Sequence, residues 1–147
     1  MARTGLQIEG LQEINRRIGS FRQTLFDKMG AIAKEAANIV RDEAIARAPA
    51  GETGELKGGI ISDVTWDKNK SKAFAGVGMD KAKNNIFVKY SATGKRYYYP
   101  ASVEYGHGDP KKGERPFLRI SLKKKKTAVK DHIAARVSAL IEGAGGQ

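Results

Sequence analysis

Over the first third of the chain, apolar residues return every three or four positions. Ile8, Leu11, Ile14 and Ile18 predict a short amphipathic helix over 10–18, which the pair Gly19-Ser20 ends. From Phe21 the same period runs through Leu25, Met29, Ile32, Ala36, Ile39 and Val40 as far as Ala48, predicting one long helix with an apolar stripe. Gly30 weakens that helix by about 1 kcal/mol relative to alanine and marks a kink or a close approach. Pro49 stops it, because proline cannot continue the hydrogen-bond ladder and biases Ala48 away from helical angles.

Residues 48–56 read as a loop from their glycine and proline content, and then the period changes. Ile60, Ser62, Val64 and Trp66 alternate with Ile61, Asp63 and Thr65, a period of two that predicts a strand with one more apolar face. After a polar turn over 67–72, Ala73, Ala75, Val77 and Met79 alternate with Phe74, Gly76 and Gly78 as a second strand, and a hairpin is the natural connection. A charged turn over 80–85 leads to a third strand, in which Ile86, Val88 and Tyr90 alternate with Phe87 and Lys89. A loop around Gly94 closes this part.

The stretch 97–122 organises the rest. Tyr97-Tyr98-Tyr99-Pro100 concentrates apolar area, since each ring covers roughly 150 to 250 Å² that water disfavours. Gly106 and Gly108 bracket His107 and free the backbone to turn, while Lys111-Lys112-Gly113-Glu114 reads as an exposed loop tip. Pro116 suits the first turn of a helix, where its missing N–H has no partner in any case. That terminal helix runs over 116–144, with Val129, Ile133, Val137, Leu140 and Ile141 at helical steps and Gly143, Gly145 and Gly146 ending it. Two helices, strands, a short turn element and a last helix predict an α+β domain: an antiparallel sheet of three to four strands packed by a long N-terminal and a C-terminal helix. At 147 residues one domain suffices, with helices over 1–48, the sheet over 59–91, an aromatic turn and basic loop over 97–115 and the last helix over 116–144.

Composition narrows the chemistry. The absence of cysteine removes disulfides and thiolate metal sites. Nowhere are there the roughly eighteen consecutive apolar residues of a membrane helix, nor an apolar run behind Met1, so synthesis in the cytoplasm without a membrane partner is expected. The net charge of +11 favours polyanions. Much of it lies over 111–131, where Lys111, Lys112, Arg115, Arg119, Lys123, Lys124, Lys125, Lys126 and Lys130 face only Glu114 and Asp131. The run Lys123-Lys124-Lys125-Lys126 is a DNA contact, a phosphate-reading surface or a solvated helix face, and Lys111, Lys112, Lys123, Lys124 and Lys126 are the candidates to face DNA or an acidic partner. Consecutive helical positions point in all directions, so at most two of the four address one ligand. Sequence-specific reading lacks a motif.

Catalytic candidates are few: His107, His132, Glu104 and Asp109. No second histidine stands at ligand spacing from His107, which favours a solvated turn over a metal or nucleophilic site. His132, beside Asp131, reads as a surface histidine. Glu104, between Val103 and Tyr105, is costly to bury unless it accepts backbone N–H bonds or pairs with an arginine, for which Arg115 and Arg119 are the candidates. Of the three tyrosines, two suit the core and one a partner.

Gly10-Leu11 opening a helix, Ala48-Pro49 with Thr53-Gly54-Glu55-Leu56 ahead of a strand, Tyr99 with Val103-Glu104-Tyr105-Gly106, and Arg115-Pro116-Phe117-Leu118-Arg119 before a last helix follow one another in a familiar order. In that order and spacing the chain resembles the small tail-completion, head-to-tail joining or minor tail proteins of long-tailed phages and prophages. The resemblance implies a non-enzymatic virion part without cofactor, assembled as a ring, commonly sixfold, between the head connector and the tail tube, through which DNA passes. It places the assembly contacts on Tyr98, Tyr99, Val103, Glu104, Tyr105, Gly106, His107, Pro116, Phe117 and Leu118. The alternative is a small basic protein that binds nucleic acid without sequence preference.

Overall fold

The computed structural model describes residues 10–106 and 113–145. Helix α1 (Leu11–Arg47) is one uninterrupted rod of about 55 Å at 1.5 Å per residue. The break predicted at Gly19-Ser20 is absent: Ile14, Ile18, Phe21 and Leu25 keep helical spacing across it, and one exposed glycine costs too little to end a helix. At the other end Ala48 is extended, as Pro49 requires, and its N–H still bonds back to Ala44. The loop that follows ends two residues early, because Glu55–Gly58 form a helical turn, α2, that buries Leu56.

Strands β1 (Ile60–Trp66) and β2 (Ala73–Met79) form the predicted antiparallel hairpin, with Ile60 opposite Met79 and Trp66 opposite Ala73. Its apolar face lies on α1. Trp66 stacks at 5.4 Å on Phe26 and passes so close to Gly30 that a Cβ there would sit 3.1 Å from the indole, which accounts for the glycine as a close approach. Ser62 donates to the Asn38 side chain, and its carbonyl accepts from Lys34, so the one polar residue on this face is satisfied.

The third strand departs from the alternating pattern. After a 3-10 turn (Lys81–Lys83), whose start is capped by the Asp80 carboxylate, Asn84–Phe87 form a short helix, α3, and only Val88–Tyr90 are extended as β3. Helical φ and ψ turn Phe87 into the core, where it is almost fully buried. Its ring explains Gly59, since a Cβ at that position would come within 2.3 Å of it. Strand β3 pairs with β4 (Arg96–Tyr98) across a five-residue loop, so the four strands divide between two two-stranded sheets where the pattern predicts one. A local partner a few residues away closes a smaller loop than the hairpin's edge would.

Tyr99–Tyr105, expected as a turn, form helix α4 with Pro100 in its first turn. Helix α5 (Leu118–Gly145) starts two residues beyond Pro116. Helices α1 and α5 run antiparallel, as the ion pairs Glu43–Lys125 and Glu35–Arg136 show. The core gathers Ala44, Ala48, Leu56, Ile60, Val103 and Phe117, with Val77, Met79, Tyr99 and Leu118 packed against it. The chain is α+β, with a long N-terminal helix, a C-terminal helix and four strands.

Candidate functional site

Glu104 holds the junction between α4 and α5. Its side chain is buried within α4, and one carboxylate oxygen, Oε2, accepts the N–H groups of Phe117 (2.7 Å) and Leu118 (2.9 Å). The other, Oε1, accepts the N–H of Arg119 and its guanidinium Nε, both at 3.0 Å. The first N–H groups of a helix have no partner within it and carry partial positive charge, so an anion there meets both needs. Here the anion arrives from another helix, thirteen residues upstream.

Arg119 completes the clamp. Its Nη2 donates to the Glu104 carbonyl (2.8 Å) and to Glu114 (3.1 Å), and its guanidinium lies 4.7 Å from the centre of the Tyr105 ring. The Arg115 N–H donates to the Val103 carbonyl at 2.8 Å, which ties the segment before α5 to α4. Burial alone pushes the Glu104 carboxyl up; the N–H groups of Leu118, Arg119 and Phe117 together with the Arg119 guanidinium outweigh it and hold the carboxyl below the usual range. A carboxylate held ionised by four donors has no lone pair directed at a substrate. The arrangement fixes geometry.

The residues expected at the contact surface divide. Val103 and Phe117 are buried in the core, and Tyr99 and Leu118 pack against it. Tyr98 is half-buried, its ring perpendicular to that of Phe87 with the two centres 6.1 Å apart, and Lys89 lies over the Tyr99 ring at 5.8 Å. Pro116 is half-buried. Tyr105 is exposed at 65 %, and Gly106 has φ 86°, a left-handed value that favours glycine where the chain leaves α4. His107, Lys111 and Lys112 lie outside the described residues. Lys123, Lys124 and Lys126 are exposed on α5, whereas Lys125 turns toward α1 and reaches Glu43 at 3.6 Å, so the four lysines fan out as helix geometry demands.

Sequence reading missed the polar seam between α1 and α5. His132, expected as a surface side chain, is half-buried and bonds Glu35 at 2.8 Å, and Arg136 reaches the same carboxylate at 3.0 Å. The His132 hydrogen bond is the main cause of a Glu35 carboxyl held below its ordinary range. The spacing of Glu35 and Glu43 on one helix and of Lys125, His132 and Arg136 on the other was the available signal. It becomes informative only when the helices are known to be antiparallel neighbours.

Among the described residues, no group of three or more histidines, aspartates and glutamates is placed to hold a metal ion. No helix there is long and apolar enough to cross a membrane. Comparison with curated proteins and with solved structures found no match. The family model for bacteriophage HK97 gp10, a tail component, matches residues 12–106, spanning α1, both hairpins and the Glu104 helix, and the chain therefore belongs to this HK97 gp10-like family of phage tail components.

Proposed function

We propose that this tail component acts at the neck or tail terminus of the virion, where copies close into a ring, hexameric in the resemblance drawn from its motifs, and join the tail tube to the head connector. The observation that supports an assembly role is the apolar surface left outside the core. Leu11, Ile14, Ile18, Leu122 and Ile141 are all substantially exposed on the two long helices, more than scattered single residues of a monomer's surface. The clamp at Glu104 gives that surface a rigid frame, since α5 is fixed at its start to a helix of the central part. No reaction enters this role.

Deletion of the gene from the parent phage tests the proposal by electron microscopy of the lysate. DNA-filled heads lying apart from tails, or tails of abnormal length, are the expected result; intact virions would refute it.

The exposed Lys123, Lys124 and Lys126 support a second reading, non-specific binding of nucleic acid, which is also compatible with DNA passing through a ring. Titration of labelled duplex DNA separates the two. An affinity that falls steeply as salt rises, and that drops further in a Lys123→Glu/Lys126→Glu variant, supports DNA contact; no measurable binding at low salt removes it.

A further inference from the structure

The ring proposed above needs an interface, and the chain carries both halves of one. Between α1, β2 and α5 lies an apolar groove of about 570 Å³. Its floor includes Ala36 and Val40 of α1, one wall is β2 at Ala75, and the other is α5 at Leu122, Val129 and Ile133. Alanine on the floor keeps it low, and Leu122 stands 61 % exposed at the rim. Such a cavity lies within the size range of binding clefts and takes the apolar face of a helix when the incoming side chains are spaced i, i+3 and i+7.

That spacing occurs at the start of α1. Leu11, Ile14 and Ile18 are 47 %, 52 % and 60 % exposed, and at 3.6 residues per turn they fall within a sector of about 60°. The ionic cluster in which Arg16 and Arg17 both bond Glu13 lies off this sector, so the stripe itself is apolar. The stripe cannot fill its own groove. Ala36 is on the same rigid helix, about 33 Å further along than Ile14. Leu6 and Ile8, the apolar residues ahead of the helix, are within four residues of Gly10 and reach at most about 14 Å from it. A second copy brings an apolar stripe of the right spacing to it.

We infer that the Leu11–Ile14–Ile18 stripe of one copy seats in the α1/β2/α5 groove of the next. Every copy brings one stripe and one groove, so their numbers match and neither is left over once the assembly closes. The two patches are different, which makes the contact heterologous. Repetition of a heterologous contact produces a ring when the rotation closes and a filament when it does not, whereas a self-complementary patch would stop at a dimer. This inference rests on the ring reading and adds its contact surface.

The chain has no cysteine, so introduced thiols report without background. Full-length Ile14→Cys and Leu122→Cys variants, each exposed and therefore tolerated by the fold, are oxidised separately and as a mixture. A disulfide-linked pair only in the mixture, and a ladder of higher species from the double variant, is the expected result. Native mass spectrometry of the unmodified chain and of Ile14→Glu, with circular dichroism confirming an unchanged fold, supplies the second arm. The glutamate variant should need at least about tenfold more protein to assemble. If the chain forms a ring that Ile14→Glu leaves intact, or if each cysteine variant links to itself as readily as to the other, the groove contact is wrong and the ring stands. A chain monomeric at every concentration overturns both.

Discussion

Replacement of Glu104 by glutamine isolates the charge at the α4–α5 junction while preserving shape. The carboxylate accepts four hydrogen bonds, three of them from the backbone N–H groups that open α5. Glutamine keeps one acceptor oxygen and turns an amide NH₂ toward donors that Oε1 or Oε2 now serves, so two bonds are lost whichever way it is oriented. Hydrogen bonds to a charged group are each worth about 1.5 to 3 kcal/mol, and buried donors left without partners add to the loss. Arg119 is half-exposed, so its share of the ion pair is small, at most about 1 kcal/mol. A destabilisation of at least about 3 kcal/mol follows, which for a chain of this size lowers Tm by at least about 6 °C. Calorimetry reads the shift, and hydrogen exchange should show the amides of Phe117, Leu118 and Arg119 losing protection first. The pH dependence gives a further check. The folded Glu104 carboxyl lies below its ordinary value of 4.5, so its contribution is fully present above that value and disappears as pH falls through the folded value. The gap between wild type and Glu104→Gln should therefore be widest at neutral pH and close in acid. A Tm within about 2 °C of wild type at pH 7, with unchanged amide protection, would show that the clamp does not stabilise the junction.

Three other outcomes follow from single contacts. Gly59→Ala should cost about 1 to 3 kcal/mol in chemical denaturation, because its Cβ would enter the space of the Phe87 ring, whereas Gly76→Ala, which meets nothing within 4 Å, should not show that loss. Gly19→Ala should stabilise by about 0.5 to 1 kcal/mol, because α1 is continuous there and nothing lies near the new methyl group; a neutral or negative effect on Tm would argue for a broken helix. Arg119→Lys should lose about 1 kcal/mol in the same assay, since lysine keeps the charge but cannot bridge Glu104, its carbonyl and Glu114 at once.

The hairpin of β1 and β2 and the stop at Ala48 were legible because their causes are local. Strict alternation fixes which side chains share a face, and Pro49 forbids the next helical turn wherever it stands. Glu104 was legible for a different reason: a carboxylate among apolar residues demands donors, and Arg119 was one of the two arginines near enough in sequence to provide them. That backbone N–H groups would serve it was legible on the same ground; which three they are, those of Phe117, Leu118 and Arg119, was not, because N–H groups leave no mark on residue type. The helical turn at Phe87 and the bond from His132 to Glu35 depended on neighbours remote in sequence, whereas the passage of α1 through Gly19 and the pairing of β3 with β4 turned on which of two local effects was the larger. A glycine's cost is outweighed when the stripe on either side stays in phase, and a histidine's surroundings are set by whichever helix packs beside it. The sequence by itself determined the class, the period of each long element and the residues that needed partners. Only the tertiary structure decided the partners, because burial and hydrogen bonding are settled by distances between elements that the order of residues does not contain.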